Sequence, residues 1–454
     1  MTTPPERPKA VLVAVRLPDV APAAFEASLT ELERLVTTLG YTVVARVTQA
    51  RDHLAPAAVL GEGKLRELAQ LTGGTGHTGT TPPGKSARDA DRESVPPENE
   101  PEADAESAPH PDVALVAVDH EITPSQLRNL ERATGVPALD RTGVIIEIFH
   151  RHARSREARL EVEIARLTYT APRLREAPRG KERRMGRGSG EAALELDRRR
   201  IRDRIAELKA ELARSERERE VRRARRRGAR RVALVGYTNA GKSSLMRALT
   251  GSDVLVEDKL FATLDTTVRA LYPEARPRIL VSDTVGFIRK LPHDLVASFK
   301  STLDEALEAS LLLEVVDASD PDWEAQHAVT RGVLTEIGAT NVPARLVFNK
   351  IDLLSDAALE ALAERFPDAW LVSTRRAADV SRVRDRIIAF FEASYEEAEL
   401  RVPYSRQALI SEMHESGRVL EERYEPEGVT VRLRSDAETL ARFRAELAPD
   451  PTRT

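Results

Sequence analysis

Nine residues, GYTNAGKSS from Gly236 to Ser244, carry the most specific chemistry in the chain. They fit G-x-x-x-x-G-K-S, with Gly236, Gly241, Lys242 and Ser243 at the fixed positions. Small residues let a chain turn tightly enough for its backbone N–H groups to face a phosphate. In such a loop Lys242 reaches the β- and γ-phosphates and the Ser243 hydroxyl ligates Mg²⁺. Tyr237, Thr238, Asn239, Ala240 and Ser244 complete the cradle. Asn239 has two readings, a side-chain oxygen for K⁺ beside the α/β-phosphates or a bond that braces the loop.

Two further motifs follow in the order a nucleotide switch needs. In DTVGF (Asp283, Thr284, Val285, Gly286, Phe287), Asp283 would hold Mg²⁺ through water and the Gly286 N–H would sense the γ-phosphate. In NKID (Asn349, Lys350, Ile351, Asp352), Asp352 can accept hydrogen bonds from the N1–H and exocyclic amine of guanine. Adenine lacks both donors, so ATP would leave that carboxylate unpaired. Asn349 and the Lys350 stem would buttress the loop and cover the base. Ser373 and Thr374, with Arg375 beside them, would offer backbone contacts to the guanine ring. Between these motifs lies FATLDTT (Phe261, Ala262, Thr263, Leu264, Asp265, Thr266, Thr267), where the first switch belongs. Thr263 is the favoured Mg²⁺ ligand, with Thr266 and Thr267 as competitors. Lys242, Thr263 and Gly286 are thus expected to act on the transferred phosphoryl group. Phe287 stands where many such enzymes place a water-orienting glutamine, so intrinsic hydrolysis should be slow. These residues imply GTP as substrate and a guanine-nucleotide hydrolase as the class.

Each motif needs a strand end to hold it. The strand candidates are VALVG (232–236), RILVSD (278–283), LLLEVVD (311–317), RLVFNK (345–350) and AWLVS (369–373), separated by helical patterns. That alternation predicts an α/β, doubly wound, mostly parallel sheet over residues 230–396. Ahead of it, VLVAV (11–15), TVVARV (42–47) and VALVAV (113–118) alternate with helical stretches at 23–39 and 61–71, a small α/β domain over 1–140. Residues 73–111, rich in Gly, Thr, Pro, Asp and Glu, have little to bury and read as a disordered insertion. Residues 141–229 read as a basic antiparallel helical hairpin. Its first arm is one helix from Ile145 to Tyr169, which Pro172 ends, and its second places Leu194, Ile201, Ile205, Leu208 and Leu212 on one face. Residues 397–454 form a small C-terminal domain with a strand pair and a final helix.

Charge and composition exclude several classes. The net charge is -4, so any polyanion-binding surface must come from local segregation. From Arg198 to Arg231 there are 16 Arg/Lys against 6 acids, and RRARRRGARR (222–231) holds no acid. That cluster favours a phosphate backbone, the alternative being a solvated helix with i,i+4 pairs. With no cysteine, disulfides, thiolate zinc sites and a cysteine nucleophile are excluded. No apolar run is long enough for a membrane span. The opening MTTPPERPKA has no apolar core, so no secretory leader is expected.

The residues resemble the HflX-type GTPases, relatives of the Obg group, over nearly the whole chain. The resemblance rests on GEGK near Gly61, ITPSQLRNLE (122–131), the run from Asp140 to Leu174 and LELDRRRIRDRI (194–205). GYTNAGKSS, FATLD, DTVGFIRKLP and NKIDLL add to it. Departures mark a divergent paralogue: GRGSGEAALE (186–195) stands for a usual G-P-G-E-x-x-x-E, Thr266 for a proline, Ser310 for an acid and Thr374 for an alanine. The resemblance implies binding to rRNA of the large ribosomal subunit, GTPase stimulation there, and dissociation or rescue of stalled ribosomes under stress. The composition leads us to expect a cytoplasmic protein, with peripheral membrane association as the alternative location, and a monomer is the expected state. Two other functions stay open, a GTP-dependent switch recruiting a protein partner and an ATP-dependent RNA remodeller in the N-terminal part.

Overall fold

The computed structural model describes residues 7–78, 112–174, 189–224, 230–252, 260–261, 267–290 and 305–448. Contacts divide the chain into two compact units, Met1–Arg151 with Val162–Leu208, and His152–Glu161 with Lys209–Thr454.

The first unit holds a parallel sheet in the order β2-β1-β3-β4. Its strands are β1 (Lys9–Arg16), β2 (Thr42–Ala50), β3 (Val113–Val118) and β4 (Ala138–Asp140). Val11 to Val15 are buried on both faces of β1, which is why the run is continuously apolar. Helices α1 (Pro22–Thr38), α2 (Glu62–Thr72) and α3 (Pro124–Thr134) make the crossovers. The α3 helix starts on a capping box, in which Thr123 accepts the Gln126 N–H and Gln126 accepts the Thr123 N–H. Residues 73–78, expected to open a disordered insertion, are part of the described fold. Gly73 closes α2 in the left-handed conformation (φ 78), and Gly76 donates its N–H to the Ala133 carbonyl at 2.9 Å, so the chain still lies on α3 there. Residues 79–111 lie outside the described residues.

The expected single helix from Ile145 to Tyr169 is two helices, α4 (Arg141–His152) and α5 (Arg156–Thr170). Ser155 restarts the second by accepting the Ala158 N–H at 3.1 Å. Pro172 falls in the 3₁₀ turn Ala171–Arg173 that follows α5. The helix α6 (Ser189–Ala224) runs for 36 residues. Arg156 meets Glu211 at 2.6 Å and Ser215 donates to Glu157, so the start of α5 lies beside the C-terminal half of α6, as in an antiparallel pair.

The second unit is built on a six-stranded sheet in the order β10-β9-β8-β5-β7-β6. These are β5 (Arg230–Gly236), β6 (Thr267–Ala270), β7 (Ile279–Asp283), β8 (Leu311–Asp317), β9 (Ala344–Asn349) and β10 (Trp370–Leu371). All pairs are parallel except β6 with β7. Alternate residues of β5 face two cores. Val232 and Leu234 meet α7 (Lys242–Thr250), whereas Ala233 and Val235 lie with Phe287 and Leu312 under α8 (Trp323–Glu336). Each large side chain in these layers contributes about 1.5–3 kcal/mol by its burial. The helices α9 (Asp356–Arg365) and α10 (Ala377–Glu392) flank β10.

The tail is more than a strand pair. The strands β11 (Glu396–Pro403), β12 (Arg418–Glu425) and β13 (Gly428–Ser435) form an antiparallel sheet in the order β11-β13-β12, with α11 (Ala408–Ser416) and α12 (Ala437–Leu447). Ala398, Leu400 and Val402 bury every second residue of β11 against Leu440 and Phe443.

Candidate functional site: a phosphate loop and a base-reading edge

The motifs gather at the carboxyl edge of the six-stranded sheet, beside β5, whose neighbours β7 and β8 lie on opposite sides. Open α/β sheets bind ligands at such a switch point. Gly236 ends β5 at φ 149, and a Cβ there would stand 2.2 Å from the Val315 carbonyl oxygen. Only glycine fits that position. Tyr237 pairs with Phe287 in a parallel bridge. The Thr238 N–H donates to the Phe287 carbonyl at 2.8 Å, and the Phe287 N–H to the Gly236 carbonyl at 3.1 Å. Asn239 (φ 60) and Gly241 (φ 90) turn the chain through the left-handed region, and α7 begins at Lys242. Ala240 is buried, while Ser244 sits half-buried in the first turn of α7.

Lys242 is 6% exposed and donates from Nζ to the carbonyl oxygens of Tyr237 at 2.8 Å and Gly236 at 3.1 Å. Burial pushes its ammonium down to about 8, against the upward pull of Asp283. Ser243 Oγ donates to Asp283 Oδ2 at 2.5 Å. A hydroxyl and a carboxylate side by side are a hard oxygen pair of the kind Mg²⁺ prefers. Two buried polar atoms beside the loop, Thr238 Oγ1 and Asn349 Oδ1, have no hydrogen-bond partner among the described residues. Both facts fit a site shaped for a polar ligand and a divalent cation. Thr284 is buried and donates to the Leu234 carbonyl at 2.7 Å; Val285 is buried next to it. A Cβ on Gly286 would come within 2.8 Å of Thr238 Cα and 2.9 Å of Lys242 Nζ.

The NKID segment reaches the same edge. Asn349, fully buried at the end of β9, donates Nδ2 to the Ala240 carbonyl at 2.9 Å. Lys350 (φ 61) pairs with Asp317 at 2.7 Å, and Ile351 packs into the core below. Asp352 accepts the Ser373 hydroxyl at 2.7 Å and lies 3.4 Å from Arg375. The Ser373 bond is the main cause that holds its carboxyl below the ordinary range, with Arg375 adding to it. Thr374 is half-buried and Arg375 exposed.

Several expectations change. The Ser373 N–H is already donated to Asp379 Oδ2 at 3.1 Å, so its hydroxyl, not its amide, serves the site. The Phe287 ring, already expected not to orient water, is buried in the core with Ala233 and Val235. Arg230 and Arg231, read as part of an acid-free cluster, are paired with Asp436 at 2.8 Å and with Glu308 respectively. In the first switch, Phe261 is buried at φ 58 and Thr267 opens β6 opposite Asp283. Ala262, Thr263, Leu264, Asp265 and Thr266 lie outside the described residues, as do 225–229 of the arginine cluster. The sequence reading missed Asp317, Asp379 and the Arg289 N–H bonded to Tyr237 at 2.8 Å. Asp317 carried a signal, an acid ending a parallel strand at the edge that holds the other motifs.

Three family models match, described as "GTP-binding GTPase N-terminal" (26–78 and 102–150), "GTP-binding GTPase Middle Region" (152–226) and "50S ribosome-binding GTPase" (231–350). The chain is 60% identical over 450 residues to the GTPase HflX of Gluconacetobacter diazotrophicus, covering 99% of this chain and 100% of the relative. It is 37% identical over 446 residues to that of Caldanaerobacter subterraneus subsp. tengcongensis, covering 97% and 94%. With that of Spirochaeta thermophila it shares 43% over 327 residues, 70% and 80%.

The chain belongs to the HflX family of GTPases. As a member it binds guanine nucleotide and hydrolyses GTP. The resemblance read from the N-terminal motifs and the mostly parallel nucleotide-binding sheet agree with this membership. Among the described residues no helix is long and apolar enough to cross a membrane.

Proposed function

We propose that this HflX-family GTPase works on the large ribosomal subunit and helps dissociate or rescue stalled ribosomes under stress, as a cytoplasmic monomer. The observation that carries the ribosomal part is the match of residues 231–350 to the model described as a 50S ribosome-binding GTPase. Support comes from the cationic excess of the run from Arg198 to Arg231, since rRNA is recognised largely through its phosphates.

In this reading the backbone of Gly236 to Ser244 cradles the phosphates, and Lys242 moves its ammonium from the loop carbonyls to the β- and γ-oxygens. Ser243 and Asp283 would hold Mg²⁺, Asp283 through water, and Thr263 would join them. The cation, when bound, neutralises charge on the phosphate oxygens. Gly286 turns its N–H to the γ-phosphate, and Asn239 is placed to share K⁺. Asp352 reads the purine edge while Asn349 ties that loop to the phosphate loop. With the Phe287 ring in the core, no side chain at that position orients water, so turnover waits on the partner.

A second reading makes the protein a switch that recruits a protein partner. It draws on the ion pairs that α6 already contains, Arg200–Asp197, Arg202–Glu195 and Arg204–Glu207. Exposed pairs of this kind add little stability and lower the free charge of the helix. GTP turnover measured with and without purified large subunits, at two salt concentrations, separates the readings. Several-fold stimulation lost at high salt is expected for the ribosomal function, and absence of stimulation supports recruitment.

A further inference from the structure

Asp379 grips the loop whose hydroxyl grips Asp352. It stands in the first turn of α10, 5% exposed, and its Oδ2 accepts the Ser373 N–H at 3.1 Å, while Oδ1 meets the Arg382 guanidinium. Ser373 is fully buried; its Oγ donates to Asp352 Oδ1 at 2.7 Å and accepts the Arg375 N–H at 3.3 Å. The other side-chain partner of Asp352 is the Arg375 guanidinium, 3.4 Å away with its side chain 79% exposed, and the backbone N–H of Asp352 itself also bonds the carboxylate. A short bond from a buried hydroxyl constrains a carboxylate far more than a long pair with a mobile, solvated guanidinium. The orientation of Asp352 therefore rests on Ser373, and that of Ser373 on Asp379. An acid in a first helical turn is favoured by the helix dipole wherever it points. Here Oδ2 goes instead to an amide four residues ahead of the helix.

We propose that Asp379 is a positioning residue for guanine selectivity, acting through Ser373 to aim the Asp352 carboxylate at the N1–H and 2-amino group of the purine. The inference rests on Asp352 reading the base. A carboxylate free to swing would still accept one donor but would lose the two-point match that distinguishes guanine.

The test is the affinity of the full-length protein for GDP and for inosine diphosphate, which lacks the 2-amino group. Asp379→Ala should shrink the GDP-to-IDP preference about fivefold, the worth of roughly one hydrogen bond. Asp379→Asn, which keeps an oxygen for the Ser373 amide, should retain most of it. Equal weakening of both nucleotides, with the ratio intact, would make Asp379 a structural cap and overturn the proposal. Should Asp379→Ala not fold, Ser373→Ala reads the same link, and an intact ratio there overturns it as well. Asp352→Asn run in parallel with xanthosine diphosphate separates the two levels. A switch to XDP beside an unchanged Asp379→Ala ratio sinks this inference alone, whereas a retained GDP preference sinks the base-reading assignment and the inference with it.

Discussion

The carbonyl oxygen of Phe287 accepts the backbone N–H of Thr238 at 2.8 Å. The segment proposed to sense the γ-phosphate is thus fastened to the phosphate loop by main chain, independent of side-chain identity. Gly286 sits inside that fastening with no room for a Cβ. Gly286→Ala should displace the loop and reduce GTP turnover by at least ~10-fold, as losing one well-placed transition-state donor does. Turnover within twofold of the parent would mean that the amide is not used.

Lys242→Ala should abolish hydrolysis with the fold intact, checked by phosphate release and circular dichroism. Lys242→Met isolates the electrostatic part. The folded-state value of Lys242, about 8, lies below the ordinary lysine value of 10.5, so burying the ammonium costs stability at neutral pH. That cost is fully present below pH 8 and is relieved between about 8 and 10.5, where the unfolded chain binds the extra proton. Without nucleotide, Lys242→Met should be more stable at pH 7 by ~3–4 kcal/mol, at about 1.4 kcal/mol per pK unit between about 8 and 10.5, and the gap should close towards pH 10. A gap that stays constant with pH contradicts the shift.

Asp352→Asn should weaken GTP binding by ~10–100-fold and turn preference toward xanthosine nucleotides, because an amide presents a donor where guanine also presents one. Competition between GDP and XDP for a fluorescent guanine nucleotide reads this directly. Unchanged competition would remove Asp352 from base reading.

Asp436 caps α12 by accepting the Thr439 N–H at 2.8 Å and also holds Arg230. Burial alone would raise its carboxyl; the Thr439 bonds and Arg230 outweigh that and hold it low. Its contribution is therefore present at neutral pH and lost as pH falls through the lowered folded value. Asp436→Ala should cost ~1–2 kcal/mol, the usual worth of a cap, in denaturant unfolding at pH 7. A loss below a few tenths would contradict the capping role.

Legibility followed physical causes. Residues Leu311–Asp317 match the expected strand residue for residue, because a run buried on both faces is apolar at nearly every position, with the buried Glu314 paired to His327 and Arg331. The phosphate loop is legible because fixed spacing and strand context coincide at Gly236 to Ser244. The edge strand β6 (TVRA) is invisible, being short, half-exposed and antiparallel. The break between α4 and α5 carries neither Gly nor Pro, only Ser155 acting as a cap, so periodicity runs straight through it. Arg230 and Arg231 look unpaired locally because their acids, Asp436 and Glu308, are 206 and 77 residues away in sequence. Asp379 lies only six residues from Ser373, but an acid in the first turn of a helix reads as a partner of the helix dipole and gives no hint of that bond.

The strand carrying the phosphate loop begins at Arg230, which is clamped between Asp436 and the Tyr395 ring, and ends at Gly236. Those seven residues span only ~23 Å at a strand's rise. A protein shortened anywhere before Asp436 would lose more than a passive appendage: the foot of its catalytic strand would come loose, and defects mapped to the far terminus would surface as defects in nucleotide handling.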